Sequence, residues 1–226
     1  MSISKKTALE LSLGAIAASW IYQISRGTNP TLPPNFSTLV VTILISKLAI
    51  FAAIYLLLRL GREDFGALWV TGRDWPKHLG LGLAIGFAMF IALNVALGSV
   101  MQSLLPRPPS NGPSIMDFFQ ARANLAAWMP IGIFGGGVVE ELQRIFVLTR
   151  FEKWLGRPGL ILGVIMSSVM FGFGHLYQGL GIAIGTAISG VTFSLVYLRR
   201  RNAIEVMAAH ALSDVLAMLA ATFLMR

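Results

Sequence analysis

The chain has no cysteine among its 226 residues, which excludes a disulfide framework and any thiolate metal centre. Charge is the second scarcity. Asp, Glu, Lys and Arg together make up 12% of the residues, about half the share found in an ordinary soluble domain. With 55% hydrophobic residues and a mean hydropathy of +0.72, there is too little polar surface to clothe a water-soluble globule. Runs of about 20 apolar residues, enough to cross about 30 Å of hydrocarbon, recur instead. Acidic residues are scarcer than basic ones, 10 against 18, for a net charge of +8. Such an excess suits nucleic acid when it clusters on a polar face; here the basic residues sit at the ends of apolar runs, the distribution that orients membrane proteins. There is no internal repeat, low-complexity tract, glycine-rich nucleotide fingerprint or His-Glu-x-x-His pair. Met1 to Lys6 is too short and polar for a secretory signal, so the first apolar run is expected to be retained as a span.

Seven runs follow: Thr7 to Ile24, Phe36 to Leu60, Leu79 to Leu104, Leu125 to Arg150, Leu160 to Tyr177, Gly181 to Leu198, and Ala203 to Met225. The expected fold is all-α, a polytopic transmembrane helical bundle of about seven spans forming one membrane domain over residues 1–226. Pro106, Pro108, Pro109 and Pro113 make the loop before Met116 a poor helix former, and an eighth, short re-entrant segment would fit there. Met116 to Asn124 suits a short interfacial helix, and Gly156-Arg157-Pro158-Gly159 is a turn signal. With the N-terminus inside, 12 basic residues fall in inner segments and 4 in outer ones. The expected location is therefore the cell membrane, multi-pass, N-terminus cytoplasmic and C-terminus outside.

An ionisable residue at mid-membrane costs at least about 2.5–3.5 kcal/mol and marks function by default. Three compact groups qualify, in a core of about residues 125–225. The first is Glu140-Glu141-Leu142-Gln143-Arg144. Adjacent helical residues point about 100° apart, and both glutamates are within reach of Arg144 at spacings of four and three. One carboxylate can be held by Arg144 while the other faces an interior cavity. The second is Phe171-Gly172-Phe173-Gly174-His175, whose imidazole can bind a metal, donate a hydrogen bond or relay a proton, and whose glycines let another helix approach. The third is His210-Ala211-Leu212-Ser213-Asp214, with His210 and Asp214 one turn apart on one face. Taken singly, each also fits a paired charge or an interfacial polar residue. Lys47, mid-span, is expected to pair with a carboxylate on another helix or to snorkel, in a structural role. Glu205 is expected as an interfacial charge near Arg199–Arg201, His78 as an interface anchor, and Gly135-Gly136-Gly137 as a tight packing face.

A Glu pair with a following Arg, then Phe-x-x-x-His, then His-x-x-x-Asn/Asp, in that order, resembles the CPBP family of intramembrane proteases. That family includes the type II CAAX prenyl endopeptidases and bacteriocin-processing or immunity-related membrane proteins. The resemblance covers about Trp128 to Leu219. Phe171 with His175 fits the second motif, and His210 with Asp214 the third. The first departs: the family pattern has three residues between the Glu pair and Arg, whereas here only Leu142 and Gln143 intervene. If the Glu pair sets the register, Glu140 takes the catalytic position. If Arg144 sets it, Glu140 takes the Arg-paired position and the catalytic one falls on Val139, beside which Glu141 is still at hand.

The resemblance implies an intramembrane endopeptidase acting on a peptide or protein substrate, lipid-modified or not, with membrane lipids but no nucleic acid as partners. A glutamate, Glu140 or else Glu141, would activate water with help from His175. His210 and Asp214 would bind the scissile carbonyl, with Arg144 and Phe171 in support. No cofactor is favoured. The family has also been described as metal-dependent, and then Glu140, His175 and His210 would be a legitimate zinc set. A catalytically inactive membrane scaffold or immunity protein is one alternative, favoured by the shortened first motif; a small proton-coupled transporter is another, since intramembrane Glu, His and Asp also build relays. Straight helices rising about 1.5 Å per residue set a geometric condition. They put Glu140 in the inner half of its span and His175 near the outer end of its own, where the two do not meet.

Overall fold

A computed structural model describes residues 3–27, 35–70, 74–105 and 115–224, and among them there are helices and turns but no strand. The helices are α1 (Lys5–Gly27), α2 (Phe36–Leu60), α3 (Trp75–Leu104), the short α4 (Ile115–Gln120), α5 (residues 122–155), α6 (residues 157–173), α7 (Leu180–Arg200) and α8 (Ala203–Phe223). Five stretches are long and apolar enough to cross a membrane: α2, α3, the combined Arg122–Phe173, α7 and α8. The chain is thus a multi-pass, all-α bundle. The seven runs legible in the sequence correspond to α1, α2, α3 and α5 to α8; the Pro-rich loop and its re-entrant option lie outside the described residues.

Gly156 divides Arg122–Phe173 in two. Its φ of +65° and ψ of −140° lie where a side chain is strained, and the chain turns back there into an antiparallel α5–α6 hairpin. Pro158, in the first turn of α6, gives up an N–H that would have no intrahelical partner. Gly159 then lies on the Phe151 carbonyl and Gly163 on Leu148 and Phe151.

Lipid offers no hydrophobic drive for helices to associate, so close backbone approach has to supply the packing. A Cβ on Gly86 of α3 would stand 2.5 Å from the Ala209 carbonyl oxygen of α8, and Gly82 meets Glu205 and Ala208 in the same way. The main core joins Ile145 and Leu148 of α5, Tyr197 of α7 and Val206 of α8 to Ile16 of α1 and Leu58 of α2. At the other end Leu39, Trp128, Ile131 and Met218 form a second cluster, on which Phe118 and Phe119 of α4 rest.

Ion pairs gather three turns at one end of the bundle. Glu63, after α2, accepts from both terminal nitrogens of Arg150 at 3.0 and 2.9 Å and from Lys153 at 2.6 Å. Burial alone would raise the Glu63 carboxyl, but the hydrogen bonds and charges of Arg150 and Lys153 outweigh it and lower the group to about 2. Arg201, in the α7–α8 turn with φ +51°, donates twice to Glu152 near the hairpin tip, both at 2.7 Å. The Trp69 carbonyl accepts from Ala203 N at 3.2 Å. The segment between α2 and α3, the α5–α6 tip and the α7–α8 turn therefore share one face.

Candidate active site

The site is built from α5, α6 and α8, with a contribution from α2. Ile131–Glu140 of α5 is wound as a π-helix, beginning after Pro130 and rich in glycine. Such wide turns are rare and recur at functional sites. The return to α winding falls between the two glutamates: Glu140 is the last π residue and Glu141 opens the α segment.

The two carboxylates consequently live in different surroundings. Glu141 is 0% exposed. Arg144 Nε donates to its two oxygens at 3.2 and 3.1 Å, and His210 Nδ1 donates to Oε1 at 2.7 Å. The Arg144 guanidinium is further engaged with the Gly190 carbonyl at 3.1 Å and lies 4.5 Å from the Phe171 ring centroid, a cation–π contact. Glu140 makes no such pair with Arg144. Its Oε1 takes a hydrogen bond from Lys47 Nζ of α2, and its Oε2 lies 3.8 Å from His210 Nε2.

His210 is clamped. Its ring stacks on Phe193 at 4.5 Å and meets the edge of Phe171 at 5.9 Å. With Nδ1 committed to Glu141, Nε2 faces Glu140 and also Asp214, whose Oδ1 is 3.5 Å away. Asp214, 33% exposed at the side chain, lies over Gly136 of α5. A Cβ on Gly136 would run into Asp214 Oδ2 and stand 3.6 Å from His210 Nε2. The glycine triplet is the packing face expected of it, and it also makes room for these two polar groups.

His175 follows the end of α6. Its Nδ1–H donates to the Phe171 carbonyl at 2.8 Å, which leaves the Nε2 lone pair free in the neutral ring. Phe171 stands edge-on to His175 at 4.9 Å, linking it to His210 across one ring. Glu140 lies within electrostatic range of Lys47, His210 and His175. The straight-helix drawing that kept Glu140 and His175 apart fails because heights are set by the hairpin pivot. Glu140 is 16 residues before Gly156 and Phe171 is 15 after it, so both stand roughly 23 Å above the turn.

Sequence reasoning did not place Lys47, Phe193 or Gly136 at this centre. Lys47 signalled itself as a lone mid-span cation but not which carboxylate it meets. Asn94, whose Nδ2 donates to Ser213 Oγ at 2.9 Å between α3 and α8, escaped a search confined to ionisable groups. Glu205 lies in the first turn of α8 with Arg200 at 3.6 Å, near the basic turn as expected, and is in addition 1% exposed and bonded to His78 Nδ1 at 2.7 Å. The α3–α8 contact that buries it is invisible in local sequence. His78 is accordingly its partner as well as a residue at the start of α3.

Among the described residues, no group of three or more His, Asp or Glu side chains is arranged to hold a metal ion. Within the set Glu140, His175 and His210, one nitrogen of each ring is already bonded and a lysine ammonium occupies one Glu140 oxygen. In both rings the bonded atom is Nδ1 and Nε2 stays open, the arrangement that metal-bound histidines also take, whereas the ammonium at Glu140 opposes a second cation there.

Residues 122–216 match the family described as type II CAAX prenyl endopeptidase Rce1-like. Searches of curated proteins and of solved structures find no match.

Proposed function

We propose that this chain, whose residues 122–216 match the type II CAAX prenyl endopeptidase Rce1-like family, a family of proteases, is a working intramembrane endopeptidase with Glu140 as its general base. The observation that carries the proposal is the partition of the glutamates. Glu141 is spent on Arg144 and His210, while Glu140 keeps an oxygen directed at His210 Nε2, beside Asp214. The 3.8 and 3.5 Å separations are too long for good direct hydrogen bonds, and one bridging oxygen spans such distances.

In this mechanism a water oxygen bonds to the scissile carbonyl carbon while its proton passes to Glu140. The C–N bond then breaks, and the leaving nitrogen takes up a proton returned by Glu140 or relayed through His175, whose Nε2 is available. The developing oxyanion needs donors. His210 serves through Nε2–H when its ring is doubly protonated, the state that Glu141 supports by accepting from Nδ1. Asp214 serves when it carries a proton. Arg144 and Phe171 touch no substrate; they hold Glu141 and the two imidazoles in place.

The alternative of an inactive scaffold rested on the shortened first motif; the pairing of Arg144 with Glu141 at a spacing of three, which leaves Glu140 out of it, supports the active reading. The substrate is a peptide or protein whose scissile bond enters the membrane, a prenylated C-terminal peptide being the first candidate. We place α1 among seven spans, with the face shared by Glu63, Glu152 and Arg201 cytoplasmic and the C-terminus outside, because the basic residues concentrate on that face.

The test is cleavage by purified protein of a farnesylated C-terminal CAAX peptide and of an unmodified peptide library. Wild type is expected to cleave, with Glu140→Gln and His175→Ala inactive though folded. Folded wild type that cleaves nothing would favour the scaffold; proton-coupled flux in proteoliposomes, lost in the same variants, would favour the transporter.

A further inference from the structure

We infer that Lys47 of α2 is the positioning residue of the Glu140 carboxylate, the cation that holds Oε1 and so presents Oε2 to His210. The inference rests on the reading of Glu140 as the base. Lys47 lies 11 residues from the start of α2 and 13 from its end. The nearer end is therefore about 16 Å away along the helix, beyond what a lysine stem spans by snorkelling. An ammonium at this depth needs a partner inside the protein, and it has one, Glu140 Oε1. The stem reaches that partner across Gly135 of α5, where a Cβ would stand 3.5 Å from Lys47 Cγ and 3.6 Å from Cε.

Three observations make this more than a tether. Arg144, the cation that the first motif supplies, is consumed by Glu141, the Gly190 carbonyl and the Phe171 face, so Glu140 must take its counter-ion from elsewhere. The two carboxylate oxygens have divided tasks: the ammonium takes one, and the other faces Nε2 at 3.8 Å. Both side chains are slightly open, 18% for Lys47 and 16% for Glu140, so the pair stands at the edge of the cluster. Rotation of the Glu140 carboxyl is what Lys47 prevents, and a base displaced by an ångström loses about two orders of magnitude in rate.

The experiment compares Lys47→Met and Lys47→Arg with wild type in detergent, reading kcat and KM on a cleaved peptide. It adds thermal midpoints for Lys47→Met, Glu140→Gln and the double variant. Lys47→Met is expected to lower kcat roughly 10- to 100-fold with KM within about twofold, and Lys47→Arg to restore most of it. In the midpoints, Lys47→Met should cost clearly less on the Glu140→Gln background than alone. Lys47→Met with wild-type kcat, or a loss that tracks only the unfolded fraction and is not rescued by Lys47→Arg, overturns the positioning role. A wild type that cleaves no peptide overturns the reading of Glu140 as base, and the positioning role falls with it. The midpoint cycle then reports the pair by itself, and additive midpoints would show that no such pair exists.

Discussion

The division of labour between the glutamates can be tested by neutralising each in turn. In Glu141→Gln the amide keeps the volume of the carboxylate but offers one accepting oxygen where two donors converge, the Arg144 Nε–H, shared between both carboxylate oxygens, and the His210 Nδ1–H. Its NH2 would also point a donor at a donor. The position is 0% exposed, so the guanidinium is left as a buried, uncompensated charge, which costs about 3–5 kcal/mol. For a chain of this size the midpoint falls by about 2–4 °C per kcal/mol, a drop on the order of 10 °C. Glu140→Gln leaves an amide oxygen that still accepts from Lys47, and the pair is partly open; its midpoint should fall by less than half as much. Activity should divide the opposite way. Glu140→Gln should be folded and dead, whereas Glu141→Gln should keep measurable cleavage below its lowered midpoint. Differential scanning fluorimetry in detergent and the peptide assay provide the two readings. A Glu140→Gln protein less stable than Glu141→Gln, or one that still cleaves, would refute the partition.

Three other outcomes follow from separate parts of the structure. Gly136→Ala should displace Asp214 and crowd His210, costing about 1–3 kcal/mol as overpacking and lowering kcat; Gly14→Ala, on an open face of α1, should change neither, as midpoints and cleavage rates will show. Glu63, lowered to about 2 from an ordinary 4.5, contributes stability that is full above about pH 4.5 and lost as pH falls through about 2. Glu63→Gln should therefore lower the midpoint at pH 7, and the gap to wild type should close as pH falls from 4.5 toward 2. Because the chain has no cysteine, Ser4→Cys and Leu224→Cys can be labelled with impermeant maleimide in sealed right-side-out vesicles. Only Leu224→Cys should react before permeabilisation; the reverse would invert the proposed orientation.

The helices were legible because crossing lipid demands long apolar runs, and most of their bounds and the Gly156 turn could be drawn within a few residues. The three motif groups were legible because each places charge or imidazole where lipid penalises it. What local sequence could not settle was pairing. Arg144 is within reach of Glu140 and Glu141 alike, and the choice depends on a π-to-α transition between them, a matter of backbone winding that leaves only a glycine-rich trace. Lys47 announced a partner without naming it, since it lies 93 residues before Glu140. The pairing of Glu205 with His78 went unseen because Gly82 and Gly86 bring α3 onto α8, and neither helix alone shows that approach. His175 looked too distant because each run was drawn as a straight rod measured from its own apparent end, whereas the reference level is the tip of the α5–α6 hairpin.

That tip has a consequence for how such a protein can change. The two arms of the hairpin act as a pair of rulers hung from Gly156, one ending at Glu140 and the other at Phe171 and His175. Adding one residue to either arm lifts its end by about 1.5 Å and swings it by about 100°, which would turn a carboxylate or an imidazole out of the cluster. Lengths along the arms are therefore tied to each other, and an insertion between 141 and 150 has to be answered by another between 160 and 170. At the tip itself, where Trp154 and Leu155 are exposed, extra residues lengthen a turn and leave both rulers untouched. Insertions scanned one residue at a time should accordingly be tolerated near Gly156 and fail along both arms.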